Sequence, residues 1–241
     1  MRTSAKALTD RFYSRQPGWV DGTSRFANLI NSKIRPEYQI LDLGAGSGKV
    51  GPVNFQGQVR SVIGIDRDSY IGSNERIDYS VIGLAERLPF RSGSFNVVFS
   101  DWMIEHLAHP EAVASEVYRV LGPSGFFVFR TGNVRHYSYA IAADTPHWFH
   151  HLVANRARGL AQDGGDPHPT YYRMNTPETV RRCLTRVGFI EEEFIMVEAE
   201  PSYLMFSIPS FLLGVAYERL VNRASSLSGL RACILACFRK V

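Results

Sequence analysis

The sequence predicts an α/β fold with a mostly parallel sheet covered by helices on both faces, on three observations. Four short runs, Ile40–Leu43, Val62–Ile65, Phe95–Phe99 and Phe126–Phe129, are nearly continuous in apolar residues, as strands buried on both faces are. Between the last two lies Pro110–Leu121, which places Val113, Val117, Val120 and Leu121 on one helical stripe. Finally, a glycine-rich turn, Asp42-Leu43-Gly44-Ala45-Gly46-Ser47-Gly48, follows the first run directly. In open α/β sheets such turns lie at the carboxyl ends of strands, where ligands bind.

The remaining elements follow in chain order. Ser24 to Ile34 carries Phe26, Ala27, Ile30 and Ile34 at helical spacing and stops before Pro36. Gly122-Pro123-Ser124-Gly125 ends the Pro110 helix, with glycine where a left-handed cap belongs. His136 to Leu160 is read as helical with an interruption at Pro146, and the Gly/Asp/Pro-rich stretch from Gln162 to Pro169 as a loop. Thr176 is the expected N-cap of a helix with Pro177 at its first position, running to Val187 and stopping at Gly188. Phe189 to Val197 is a further strand. Two apolar stretches close the sequence, Tyr203–Tyr217 and Leu227–Phe238. Neither reaches the roughly 18–20 apolar residues that span a bilayer. Two readings of this tail stay open. In one, the first stretch gives the last sheet strand and a core helix while the second packs nearby or forms a homodimer contact. In the other, 203–241 lies at a membrane interface with arginines at the headgroups.

A length of 241 residues fits one domain with embellishments, and 45% apolar with 21% charged residues excludes wholesale disorder. The net charge of +4 and a pI near 9.0 invite an anionic partner. The basic residues are scattered, however, with no block of like charge and no stripe interleaved with aromatics, which argues against nucleic acid. Three cysteines, Cys183, Cys233 and Cys237, make no disulfide framework and favour a reducing compartment. No apolar run follows the basic residues at the N-terminus, so the expected location is cytoplasmic, or membrane-peripheral if the tail meets lipid.

Glycines 44, 46 and 48 remove side chains where backbone must turn tightly and approach a ligand. Their spacing is GxGxG, not the GxGxxG of dinucleotide enzymes, and no phosphate-binding GxxxxGK[ST] loop is present. Asp42, two residues before the first glycine, would repel a pyrophosphate but suits a cationic amino-acid ligand. Gly51-Pro52 and Gly57 leave little room for a following helix.

ILDLGAGSG, followed by VIGIDRD and by LAERLPFRSGSFNVVFSDWMIEHLAHPEAVASEVYRVLGPSGFFVF, resembles the class I S-adenosylmethionine-dependent methyltransferases. The resemblance is to their small-molecule branch, which includes quinone-biosynthesis enzymes, and covers about residues 38–131. It implies a Rossmann-like, doubly wound, mostly parallel seven-stranded sheet with an antiparallel last strand, plus a helical acceptor-side insertion and apolar C-terminal helices. It also implies one methyltransferase domain over 1–241: an N-terminal helical cap (1–36), a cofactor-binding core (37–131), an acceptor-side insertion (132–175) and a C-terminal helix, strands and apolar tail (176–241).

By the same resemblance S-adenosylmethionine is the cofactor. Asp42, Gly44, Ala45, Gly46 and Gly48 would hold its methionine and ribose portions, and Asp66 both ribose hydroxyls. Arg67 would lie along the adenine, Ala85 and Glu86 would form the adenine-reading turn, and Ser100 would face the amino-acid end. Where relatives often carry Asp before the Ala-Glu pair, this chain has Leu84.

The expected reaction is methyl transfer to a small, apolar or aromatic acceptor, at oxygen first, with C-methylation of a quinone-like or lipid acceptor as the alternative. A catalytically silent cofactor-binding module is the competing class. Asp101, His106 and His136 are the candidate catalytic residues, because an alcohol or phenol acceptor benefits from a base. Glu105 precedes His106 and is a further acid near the strand end. His147 and His151 share a helical face, yet without HExxH no metal is expected. His136, His147, His150 and His151, with Tyr137, Tyr139, Trp148 and Phe149, are expected to line the acceptor pocket or its lid, and Tyr171-Tyr172-Arg173 either join it or pack.

Overall fold

The computed structural model describes residues 8–48, 53–139, 169–205 and 207–241, which form two compact units. One unit comprises Thr23–Gly132, Thr170–Ile195 and Ile234–Val241; the other draws its described residues from Met1–Gly22, Asn133–Pro169 and Met196–Cys233.

The first unit carries nearly all of the sheet. Its strands are β1 (Gln39–Leu43), β2 (Ser61–Asp66), β3 (Tyr79–Ile82), β4 (Phe95–Asp101), β5 (Leu121–Gly132), β6 (Phe189–Val197) and β7 (Cys233–Lys240). They lie in the order β3-β2-β1-β4-β5-β7-β6, mostly parallel, with antiparallel pairing at the β7 end. The registers Leu43↔Ile65 and Asp42↔Phe99 bring the carboxyl ends of β1, β2 and β4 together. The four apolar runs are β1, β2, β4 and β5, and Ile40, Leu41, Val97, Val98 and Phe129 are sealed from solvent. Phe129 of β5 stacks on Phe238 of β7, their ring centroids 6.3 Å apart.

Among the described residues, three of the four helices match their signals closely. Helix α1 (Gly22–Asn31) buries Phe26, Leu29 and Ile30. Helix α2 (Pro110–Val120) buries Val113, Ala114, Val117 and Val120, and packs on α3 (Pro177–Val187). Thr176 caps α3 in a capping box with Thr179, and Gly188 ends it at φ 108°, a left-handed conformation that a Cβ strains.

Elsewhere the structure departs from expectation. Helix α2 ends without a glycine cap: Leu121 is extended and already opens β5, which runs through Gly122–Gly125. Gly122 keeps a negative φ there, and Ser124 takes the positive one at 58°. The tail's assignments also change. Its first stretch gives a helix and no strand, and the second becomes β7, an inner strand. Edge strand β3 was not foreseen, since its Tyr79 and Ile82 are exposed. Of the helix expected over 136–160, residues 137–139 are helical and the remainder lies outside the described residues, with His147, Trp148, Phe149, His150 and His151.

The second unit is built on α4 (Ile208–Arg223), capped by Ser207 in a capping box with Ser210. Phe211 and Val215 bury against Tyr13, with Phe12, Trp19 and Met205 packed around them. A Cβ at Gly214 would overlap Pro201, so this face of α4 lies flush on the Ser202–Leu204 turn. At the other end the Arg231 guanidinium donates to the carbonyls of Val221 and Met196, closing the last turn of the helix.

Thr176→Ala removes the side chain that accepts the Thr179 amide hydrogen bond, and is expected to lower stability by about 1 kcal/mol. The urea midpoint of the variant against the parent checks this.

Candidate functional site

The site is built at the carboxyl ends of β1, β2 and β4. As β1 ends, the amides of Gly44 and Ala45 both donate to the carbonyl of Ile65, at 2.9 and 3.2 Å, folding the loop over the end of β2. Gly44, Gly46 and Gly48 have φ of 79°, 53° and 70°. A Cβ at Gly44 would meet Met103, and one at Gly48 would overlap Asn74. Among the described residues the nearest atom to a Cβ at Gly46 stands 4.0 Å off, on Tyr70, so no described side chain crowds that backbone. Asn74 is the loop's buried strut: its Nδ2 donates to the carbonyls of Ala45 and Gly46, while its Oδ1 accepts from the Arg76 amide. Nothing in the glycine motif announces Asn74; its signal is a buried amide side chain from a different turn.

Asp66, at the end of β2, accepts from the Gly46 amide at 2.9 Å through Oδ2 and from the Asp68 amide at 3.0 Å through Oδ1. A carboxylate offers about four lone-pair sites, so acceptor capacity remains for two hydroxyls. Arg67 beside it is exposed. The turn holding Ala85 and Glu86 follows β3, closed by the Arg87 amide on the Leu84 carbonyl. Leu84, just before that pair, is exposed and offers an apolar surface. Ser100 is fully buried and its hydroxyl donates to the Leu43 carbonyl at 2.9 Å. Its side chain therefore ties β4 to the end of β1.

Asp101 ends β4. Arg130 grips it with two bonds of 2.6 and 2.7 Å and also donates to Thr23. The guanidinium lies against the rings of Phe26 and Trp102, 5.3 and 5.2 Å from their centroids. Trp102 itself sits at φ 56°, a left-handed conformation rare for a bulky residue. Asp42 lies among these groups. Burial first, then the carboxylates of Asp101 and Asp66, push its carboxyl up to about 8, with Arg76 pulling the other way. A loop floor that resists a further negative charge, below an open glycine backbone, suits a ligand carrying a positive sulfonium and ammonium.

Glu105 and His106 follow on the turn Ile104–His106. Glu105 is buried, accepts from the Thr131 hydroxyl at 2.9 Å, and has its carboxyl raised by desolvation. Asn175 donates to that same hydroxyl, and the Glu105 carbonyl accepts from the amides of Tyr171 and Tyr172. Arg173 donates to the Ala108 carbonyl. The Tyr171-Tyr172-Arg173 segment is thus bound to the Glu105–His106 turn. His106 remains partly exposed beside it.

His136 belongs to the other unit. Its ring is fully buried, with Nδ1 2.7 Å from the Ser138 hydroxyl and Nε2 3.3 Å from Glu198, among the rings of Tyr137, Tyr203 and Tyr217. Among the described residues no group of three metal-ligating side chains occurs.

A family model described as a methyltransferase domain matches residues 41–129. The malonyl-[acyl-carrier protein] O-methyltransferase of a Marinomonas species is 30% identical over 202 residues, covering 76% of this chain and 73% of that protein. The ubiquinone/menaquinone biosynthesis C-methyltransferase of Paraburkholderia phymatum is 27% identical over 108 residues, covering 40% of this chain and 44% of that one. The chain spans about half the length of several of the curated relatives it matches. Among solved structures, an S-adenosylmethionine-dependent methyltransferase from Mesorhizobium loti superposes with a TM-score of 0.57 at 14% identity, covering 91% of this chain and 98% of that one, a likeness of fold.

Between the unfolded carboxyl value of about 3.9 and the folded value, Asp42 holds a proton that the unfolded chain has released, so stability falls as pH rises through that window. Asp42→Asn is expected to flatten the fall. Urea midpoints of parent and variant at about pH 5 and about pH 8 check the sign.

Proposed function

This chain belongs to the S-adenosylmethionine-dependent methyltransferases, and we propose that it transfers the methyl group of that cofactor to oxygen on a small, apolar or aromatic acceptor. The observation that carries the cofactor half is the meeting of Asp42, Asp66 and Asp101 beneath a glycine loop whose Gly46 position is open. When bound, S-adenosylmethionine supplies an electrophilic methyl carbon and leaves as a neutral thioether.

The chain's own residues do the rest. Asp66 takes the ribose hydroxyls on its remaining lone pairs while the Gly46 amide fixes its orientation. Asp42 gains a counter-charge from the ligand's ammonium and ionises. Leu84 offers the adenine an apolar contact, with Ala85 and Glu86 beside it. Arg67 is in reach of solvent and closes the adenine edge. Asp101, held at both oxygens by Arg130, fixes the charge at the end of β4. His106, partly exposed on the turn that follows β4, takes the acceptor's proton on a ring nitrogen. An acceptor reaches it more readily than His136, whose ring is sealed from solvent. Glu105 and Thr131 set the turn that presents His106, since the buried Glu105 carboxyl anchors it.

Transfer to oxygen is favoured by the longer of the two relationships, with a protein named as an O-methyltransferase. Transfer to carbon is the second reading, supported by the shorter match to a quinone-biosynthesis C-methyltransferase.

Asp66→Ala is expected to weaken S-adenosylmethionine binding by about 1–3 kcal/mol in calorimetric titration, and an unchanged affinity removes Asp66 from the ribose site. His106→Ala is expected to lower turnover on an accepted phenol or carboxylic acid while leaving cofactor affinity intact. Millimolar cofactor without any heat of binding to the parent chain would sink the reading as a whole.

A further inference from the structure

Helix α4 turns an unusual face outward. Its inner side is committed to Tyr13, Trp19 and Pro201 through Phe211, Gly214 and Val215. On the outer side Ile208, Leu212, Leu213 and Leu220 are exposed, Leu213 by 66%. Arg219 and Arg223 are exposed among them in the last turns, and no exposed residue of the helix is acidic. Its single acid, Glu218, is half-buried and already engaged, accepting from the Tyr13 hydroxyl and from the Asn222 side-chain amide. The helix thus buries one apolar face and carries a second set of aliphatic side chains outward, set among arginines. A soluble surface helix normally presents charge of both signs to water, so four outward aliphatic side chains call for an occupant.

A second feature adjoins it. The helical turn Asp10–Ser14 sits against α4, with the Phe12 ring edge-on to Phe211 and the Arg219 guanidinium over Phe12. Arg11, Phe12, Gln16 and Arg219 line an open pocket of about 260 Å³. Two exposed guanidinium groups flanking an aromatic floor form a cradle for a phosphate oxygen.

We propose that the outer face of α4 and the Arg11–Arg219 pocket dock together on an anionic lipid surface. The four aliphatic side chains enter the acyl boundary, a lipid phosphate is held between Arg11 and Arg219, and Arg223 lies at the headgroups. Peripheral binding needs two signals, an apolar one and a basic one, and this face carries both side by side. No helix among the described residues is long and apolar enough to cross a membrane, so α4 lies in the interface plane. Charge selects lipid over a second copy of the chain. A two-fold contact would set this patch against itself and bring arginines toward arginines, whereas an anionic surface neutralises all of them. The inference is independent of the acceptor chosen above, since it concerns lipid partition and no methyl transfer.

The test is co-sedimentation of the full chain with vesicles of phosphatidylcholine alone and of phosphatidylcholine mixed equally with phosphatidylglycerol. Binding is expected to the mixed vesicles only and to fall with added salt. Arg11→Gln and Arg219→Gln are each expected to weaken it about fivefold. Leu212→Ser with Leu213→Ser is expected to abolish it, with S-adenosylmethionine affinity kept as the sign of an intact fold. No binding to the mixed vesicles, or equal binding to both kinds, overturns the proposal. So does a dimer in sedimentation equilibrium that the leucine pair dissolves, because the face then belongs to a second copy.

Discussion

Three carboxylates end three neighbouring parallel strands on the same side, and the rest of the site is an answer to that crowding. A parallel sheet brings this about directly: Asp42, Asp66 and Asp101 stand at the carboxyl ends of β1, β2 and β4, whose registers align those ends. Like charges so placed repel unless each finds a different resolution. Asp101 has Arg130, Asp66 has two backbone amides, and the Asp42 carboxyl, buried beside them, is pushed up to about 8. The loop that supplies one of those amides must turn sharply three times in five residues, which is why glycine occupies 44, 46 and 48.

The half of this that is local was legible in the amino-acid sequence. Apolar runs gave β1, β2, β4 and β5, and the glycine spacing with its preceding acid pointed to a cationic ligand. The half that is long-range was not. Asn74 reaches the glycine loop from 29 residues away and Arg130 reaches Asp101 from the same distance, so no spacing rule connects them. The tail shows the other limit. Cys233–Lys240 is buried on both faces, and a short, continuously apolar run fits a strand and a packed helix equally well until its neighbours are known. Strand β3 failed in the opposite direction, because an exposed edge strand of four residues carries almost no apolar pattern.

The histidines make the same distinction in chemical terms. His106 and His136 look alike as sequence, each near acidic or aromatic neighbours. In the fold, one stands partly exposed after the strand that carries Asp101. The other has Glu198 and Ser138 against its two nitrogens and three tyrosine rings around it. Glu198 in turn accepts from the Ala232 amide, and Asn133 donates through Nδ2 to the carbonyls of Gly229 and Arg231 while its Oδ1 accepts from the Arg135 amide. Buried polar groups of this kind specify how chain segments meet, and they tolerate replacement poorly because a lost partner leaves the other unsatisfied.

The position of β7 has a consequence for how the protein is made. Strand β7 sits between β5 and β6, yet residues 233–240 leave the ribosome after both. Until they emerge, β5 presents an open hydrogen-bonding edge rich in phenylalanine, and β6 has no place in the sheet. A nascent chain in that condition offers a template for pairing with other chains. Completion of the sheet is therefore a late event, and the edge of β5 stays open until β7 arrives.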